Sequence, residues 1–185
     1  MEQSHSDSDR ACDGCTLCCK VIRVDVLNKP QWQYCPHCVI GTGCGIHATR
    51  PDDCRAWFCE YLMNPGVADY WYPKTSHMVI EVLDDGINAH VYVDPDFPDA
   101  WREEPYYSDL KGSAHEAVKR RSRITVHVGT RQIVIFPDRD VTFDMVADDE
   151  EVVVVFPPKS ERTGFREAAY KRKKGGPTLG PEHWR

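Results

Sequence analysis

The stretch Cys12-Asp13-Gly14-Cys15-Thr16-Leu17-Cys18-Cys19 places four cysteines within eight residues near the start of the chain. Five more cysteines follow by residue 59, and none lies after it. Disulfide bonds could therefore not cross-link the remaining two thirds of the chain. Thiolates at x2 spacing converge on one metal centre without long loops. The stretch therefore predicts a metal site built from cysteine.

The spacing C-x2-C-x2-C is the one with which a cubane iron–sulfur cluster collects three thiolates on one loop, with a fourth arriving from a distance. Cys18 and Cys19 are adjacent, and adjacent residues generally point in divergent directions. We expect them to face different centres, or one of them to bridge two. Gly14 gives the tight loop the backbone freedom that it needs.

The later cysteines extend the ligand set. Cys35 and Cys38 form another C-x2-C pair, and Cys44 lies in a glycine-rich loop with His47 nearby. Nine thiols suffice for two tetrahedral zinc sites, for one cluster plus one zinc, or for two clusters. Zinc would explain a small fold with little core, because metal binding supplies folding free energy. Three successive x2 spacings favour iron–sulfur slightly, and the cofactor is an iron–sulfur cluster or zinc.

One helix is predicted within this cysteine-rich region. Thr49 can cap it, Pro51 suits its first turn, and it should continue past Tyr61 and end before Pro65. Cys54 would lie near the helix start, where a thiol pKa is lowered. Cys59 is five residues further on, about 140° around the helix. We therefore expect Cys59 to serve a second centre or to be a buried thiol.

After Asn64-Pro65-Gly66 the pattern changes to that of strands. Residues 77–83 and 87–93 flank the turn signal Asp84-Asp85-Gly86, and residues 124–128 and 131–136 flank Gly129-Thr130. Further strands are predicted over residues 141–146 and 152–156, and a short helix over residues 113–121 with capping-box spacing at its start.

The predicted fold class is α+β, with a small cysteine-rich metal-binding module of short helices packed on an antiparallel β-sheet domain that carries one helix. The predicted units are a flexible N-terminus (1–10), a cysteine-rich metal-chelating module (11–64), a β-rich domain (65–160) and a basic, largely flexible tail (161–185).

Composition excludes several classes of function. The formal net charge of −6 is not that of a nucleic-acid-binding chain. No run approaches the roughly 20 apolar residues of a membrane span, and the polar first residues are not those of a secretory signal peptide. A reducing cytoplasm, in which thiols stay free for metal, is therefore expected. The expected partners are metal ions and a protein partner, without nucleic acid or membrane.

The cysteine pattern resembles the CxxCxxCC family of zinc- or iron-chelating proteins over roughly residues 12 to 60. The resemblance is carried by spaced elements in order: Cys12, Cys15, Cys18, Cys19, Cys38, Gly43-Cys44, Ile46, Arg50-Pro51, Cys54-Arg55 and Trp57. It implies metal chelation, with Arg50 and Arg55 supporting the bound group by hydrogen bonds or charge compensation. The alternative is that both are ordinary surface arginines. His47 stands where the family usually has a tyrosine, and Cys35 and Cys59 are additions to its pattern.

All nine cysteines are thus candidate metal ligands: Cys12, Cys15, Cys18, Cys19, Cys35, Cys38, Cys44, Cys54 and Cys59. The expected function is that of a metal-binding protein acting in redox chemistry, electron transfer or metal handling. One alternative is a metalloenzyme with the metal or cluster beside a substrate cleft. Another is a structural zinc module for protein interaction.

Overall fold

A computed structural model describes residues 10–57, 59–83, 88–156 and 167–180. The α+β class is confirmed. The α-helices are α1 (Cys18–Val21), α2 (Asp52–Ala56), α3 (Glu60–Met63), α4 (Pro73–Ser76) and α5 (Tyr106–Lys119). The strands are β1 (Cys38–Val39), β2 (Gly43–Cys44), β3 (Met78–Val82), β4 (Ala89–Val93), β5 (Ile124–Val128), β6 (Arg131–Ile135), β7 (Asp140–Phe143), β8 (Glu150–Val155) and β9 (Ala168–Lys173).

The main sheet has the order β3-β4-β5-β6-β7. Both hairpins predicted from alternating apolar residues are confirmed: β3 pairs with β4, placing Glu81 opposite His90, and β5 pairs with β6. Gly129 has the positive φ of 58° that a tight hairpin turn requires. The turn predicted at residues 84–86 lies outside the described residues.

The sheet is mixed rather than wholly antiparallel, because β4 and β5 run parallel. Parallel neighbours need a long crossover connection, and residues 94–123, which contain α5, supply it. The sequence predicts each hairpin from local alternation, but the pairing of one hairpin with the other is a non-local contact. The prediction of a wholly antiparallel sheet is therefore wrong for the pairing of β4 with β5.

Helix α5 covers one face of the sheet and begins at Tyr106, seven residues before the predicted start. The capping box predicted at Ser113 does not form the start of α5, because Ser113 lies within the helix. No side chain caps the observed start of α5. The earlier turn forms because Tyr106 and Tyr107 pack against the main core. That core contains Trp101, which is 2% exposed, together with inward-facing residues of β3 to β6.

The other face of the sheet is covered in part by the hairpin of β8 and β9. Val152 and Ala169 of this hairpin pack against Val134 and Val141 of the sheet. Residues 168–173 fall in the segment expected to be a flexible tail, and that expectation is corrected for them. In β9, the apolar residues Ala169 and Tyr170 are buried. The basic residues Lys171 and Arg172 that follow them form ion pairs with Glu150 and Glu151 of β8.

The cysteine-rich module covers the β3–β4 end of the same face. Leu17 and Val21 pack against Val79 there. Lys20 donates to Asp94 at 2.6 Å just beyond β4, and both side chains are only 9% exposed. An apolar contact and a buried ion pair therefore fix the module to the sheet. None of the described helices has the length and apolar character of a membrane span.

Between these two coverings, β5 presents Thr125 and His127 to the second face of the sheet. The pKa of His127 is lowered to about 3, first by burial and then by the charges of His90 and Arg123. Its imidazole is therefore neutral in the folded protein at neutral pH.

Stability is expected to fall as the pH is lowered from about 6.5 towards 3, because the unfolded chain then binds a proton at His127 that the folded chain does not. This contribution is complete above pH 6.5 and is lost at about 1.4 kcal/mol per pH unit below it. Urea unfolding at pH 7 and pH 5 measures the slope. The variant His127→Gln should reduce this dependence of the free energy of unfolding on pH. The variant His115→Gln changes a residue on the exposed side of α5 and should leave the dependence unchanged. Equal slopes in the wild type and His127→Gln would contradict the assignment.

Candidate metal centre

The single helix predicted from Pro51 past Tyr61 is wrong. Helix α2 ends at Ala56, Trp57 is extended, and α3 starts only after Cys59. Thr49 does not cap α2, since its hydroxyl donates to the carbonyl of Ile46. Trp57 and Cys59 instead pack in the apolar cluster between the module and the sheet. Because the helix is broken, Cys54 and Cys59 are not held about 140° apart, and both line one cavity.

The first cysteine loop turns tightly, with the amide of Cys15 donating to the carbonyl of Cys12 at 2.7 Å. Gly14 occupies this turn with a φ of +74°. A Cβ built at Gly14 would lie 2.5 Å from the carbonyl oxygen of Gly41. The loop that carries Gly41 also connects β1 and β2, so this close approach holds two cysteine-bearing segments together.

Gly14→Ala is expected to lower the free energy of unfolding by more than Gly41→Ala. Both glycines have a φ near +75°, so both variants carry the left-handed penalty of roughly 1 to 2 kcal/mol. Only at Gly14 does the new methyl group meet backbone, which adds about 1 to 3 kcal/mol. Denaturant unfolding of the two variants measures the difference. Equal losses would show that the contact between the loops is unimportant.

The second C-x2-C pair forms a knuckle. The amide of Cys38 donates to the carbonyl of Cys35 at 2.9 Å, and Cys38 pairs with Cys44 across β1 and β2. The amide of Gly45 closes this small hairpin by donating to the carbonyl of His37 at 2.8 Å. Three cysteines are thereby held on one short two-stranded element.

These segments surround one cavity of about 690 Å³. Eight of the nine cysteines line it: Cys12, Cys15, Cys18, Cys19, Cys35, Cys44, Cys54 and Cys59. The remaining one, Cys38, is hydrogen-bonded to Cys19. All nine are free thiols. Residues from five separate stretches of the module are therefore gathered around the same space.

Several of these thiols have raised pKa values. The hydrogen bond with Cys18, and then burial, raise the pKa of Cys19, while burial raises the pKa values of Cys38 and Cys59 to about 11 each. The expectation that the helix start would lower the pKa of Cys54 is wrong. Burial and the neighbouring thiols, Cys35 first among them, raise it instead. Crowded thiols of this kind lose their protons when a cation is present to take the charge.

A buried lysine faces the thiols. Lys29 is 3% exposed, and its ammonium group donates to the carbonyls of Lys20 and Ile22. The groups of opposite charge that act on it are thiols, with Cys19 and Cys35 the strongest. A buried cation needs a compensating anion. A thiolate-ligated metal centre carries the negative charge that Lys29 would compensate.

The two arginines singled out from the sequence are placed differently. Arg50 lines the cavity, its charge acts on Cys12, and one of its terminal nitrogens contacts His47. Its Nε is buried and has no hydrogen-bond partner in the described part of the chain. Arg55 lies outside the cavity lining and donates to the carbonyls of Arg50 and Ala48 at 2.9 and 3.3 Å. Arg50 can therefore contact a bound group, and Arg55 holds the loop that carries it.

The donor set around the cavity is dominated by soft sulfur atoms. Among the described residues, no three cysteine, histidine or carboxylate side chains converge closely enough to hold a metal ion as they stand. The thiols instead lie around the walls of the cavity. Their softness, the buried ammonium of Lys29 and the unpartnered Nε of Arg50 suit a negatively charged metal–thiolate group.

Sequence reasoning missed Lys29, as well as Tyr61 and Tyr72, which also line the cavity. Tyr72 donates from its hydroxyl to the carbonyl of Cys12 at 2.7 Å and so fastens the first cysteine loop. These residues have no spacing relation to the cysteines in the sequence. Their role depends on the packing of the module, which no local pattern indicates.

Fold and site together define an α+β protein with a thiol-lined cavity in a small module beside a mixed sheet. No protein-family model, no curated protein and no solved structure matches this chain.

Proposed function

We propose that this chain is a metal-binding protein whose cavity binds an iron–sulfur cluster through cysteine thiolates. The observation that carries the proposal is the placement of eight cysteines around one cavity. Buried free thiols elsewhere in proteins behave as small apolar side chains and need no such grouping. The resemblance of residues 12 to 60 to the CxxCxxCC family supports the same conclusion.

The number of thiols around the cavity favours a cluster over a single ion. Four thiolates around one zinc ion lie about 2.3 Å from the metal and leave no open space between them. Eight thiols line the cavity, which is twice the number that one zinc ion binds. A cluster presents several irons at separate corners, so its ligands are spread around it.

Zinc is the second candidate, and the knuckle of Cys35, Cys38 and Cys44 favours it. A C-x2-C turn on a short two-stranded element, completed by further thiolates, is typical of structural zinc sites. Cys54 is close enough to Cys35 and Cys44 for their charges to interact, and it could supply the fourth thiolate. A zinc ion here would leave five cysteines for a separate centre: Cys12, Cys15, Cys18, Cys19 and Cys59.

A role in redox chemistry or electron transfer follows from a bound cluster. Cys12 is exposed, so a cluster that it ligates would lie near the surface, where a redox partner protein can approach. When bound, the cluster supplies one-electron chemistry. Lys29 and Arg50 would then stabilise its negative charge and raise its reduction potential. A reducing cytoplasm is the compartment that suits nine free thiols.

Cys19→Ser is expected to weaken metal binding at least about tenfold, because Cys19 lies between Cys18 and Cys38 and contacts both. Metal content after anaerobic purification measures the effect, with circular dichroism to verify that the β-domain remains folded. Thr42→Ala is the matched control, since Thr42 lines the same cavity without offering sulfur. Equal metal content in Cys19→Ser and Thr42→Ala would contradict the proposal.

A further inference from the structure

The second face of the main sheet has a polar strip between its two coverings. The cysteine-rich module packs on β3 and β4 through Val79, and the β8–β9 hairpin packs on β6 and β7 through Val134. The side chains of β5 that point to this face, Thr125 and His127, lie between those contacts. The strip is thus bounded on both sides by apolar packing.

Neighbouring strands add a connected polar network. The hydroxyl of Tyr92 donates to Glu81 at 2.8 Å and lies 3.3 Å from Nδ1 of His90. His127 stacks on Tyr92 with ring centroids 5.0 Å apart, and its ring is 4.7 Å from that of His90. Trp32 of the cysteine-rich module packs near Tyr92, with 6.1 Å between the ring centroids. The rings are held in fixed positions by these contacts.

Two polar atoms of the strip are buried and have no hydrogen-bond partner in the described residues. They are Oγ1 of Thr125, a residue that is 2% exposed, and Nε2 of His127. Buried polar groups in folded proteins are nearly always hydrogen-bonded, and an unpartnered one indicates a group that completes it. Residues 125 and 127 alternate along β5, so both atoms lie on the same face of the sheet.

The chemistry of the strip selects the kind of molecule that would complete these bonds. The hydroxyl of Thr125 can donate, and so can Nε2 of His127 in the tautomer that carries its proton there. Arg123 is the next residue on the same face, and its positive charge acts on His127. The carboxylate of Glu81 accepts a hydrogen bond from the hydroxyl of Tyr92. A small acceptor with negative charge suits donors arranged in this way.

We propose that Thr125 and His127, with the charge of Arg123, form a binding site for a small oxyanion of the phosphate or carboxylate class. The site is separate from the thiol-lined cavity, whose lining includes neither Thr125 nor His127. The anion accepts from the Thr125 hydroxyl and from Nε2 of His127, next to the module that carries the cysteines.

Long-range ¹H–¹⁵N spectra of the histidine side chains test the proposal on the full metal-loaded chain. Inorganic phosphate is titrated in one arm and acetate in the other, at constant ionic strength set with chloride. The expected result is a saturable shift of the His127 resonances in at least one arm, which also identifies the anion class. The resonances of His115, exposed on α5, serve as the internal reference and should not saturate.

Thr125→Val removes the hydroxyl while keeping the shape, and it should weaken binding about tenfold or more. Thr125→Ser keeps the hydroxyl and should retain binding. Thr142→Val, on β7 with its side chain on the opposite face of the sheet, is the matched control. Shifts that rise linearly and equally at His127 and His115 in both arms would overturn the proposal. So would saturable binding that Thr125→Val leaves unchanged.

Discussion

Removing the proposed metal centre with a chelator is expected to unfold the cysteine-rich module while the main sheet stays folded. The helices α1, α2 and α3 contain only four or five residues each, and such lengths are not stable alone. The apolar cluster of the module has few buried members, chiefly Leu17, Val21 and Cys59. Structural zinc contributes roughly 10 to 16 kcal/mol in zinc-finger peptides. A contribution of that order from the proposed centre would outweigh this packing.

Hydrogen exchange under anaerobic conditions, with and without chelator, measures this effect residue by residue. The amides of Val21 and Cys38, both hydrogen-bonded within the module, should lose their protection. The amides of Val91 and Ile133 in the main sheet should keep theirs, and they serve as the reference within the same sample. Unchanged protection of the module amides after complete removal of the metal would show that the module folds without it.

Asp94→Asn is expected to lower the free energy of unfolding by about 3 kcal/mol, the lower end of the range for breaking a buried ion pair. The ammonium group of Lys20 would remain buried beside a neutral amide. Asp96, which is 74% exposed and also 2.6 Å from Lys20, keeps part of the compensation. The cost is therefore smaller than that of an isolated buried charge. Denaturant unfolding of the metal-loaded protein measures it.

Glu116→Gln provides the matched control for this variant. The pair of Lys119 and Glu116 has the same 2.6 Å separation, but its side chains are 55% and 59% exposed. Solvent screens such a pair, and its loss should cost less than about 1 kcal/mol. A similar change in both variants would mean that burial does not strengthen the contact between the module and the sheet. Replacing Lys20 and Asp94 together by Met and Leu should recover much of the loss.

The sequence predicts the sheet well where side chains alternate between two faces. The hairpins of β3–β4 and β5–β6 follow from such alternation, and Glu81 opposite His90 follows from the register. The parallel pairing of β4 with β5 and the pairing of β8 with β9 join segments far apart in the sequence. Local patterns do not encode those pairings, because they depend on the burial of whole faces.

The cysteines of the candidate site could be predicted from the sequence, but the surroundings of the site could not. The cysteines are visible as spaced thiols, and the structure gathers eight of them around one cavity. The break at Trp57, which turns Cys54 and Cys59 towards the same space, arises from packing on the sheet and overrides the local helix signals. The burial of Lys29 depends on contacts with the carbonyls of Lys20 and Ile22 and carries no sequence signature.

Anaerobic purification, followed by elemental analysis and a visible absorption spectrum, tests most directly whether the cavity binds a cluster. We predict a brown protein that absorbs near ~400 nm and contains iron and acid-labile sulfide in equal amounts, as thiolate-ligated clusters do. A colourless protein with about two zinc ions per chain would contradict the cluster and support the zinc alternative. A protein that contains neither metal, and that folds equally well as Cys19→Ser, would contradict metal binding altogether.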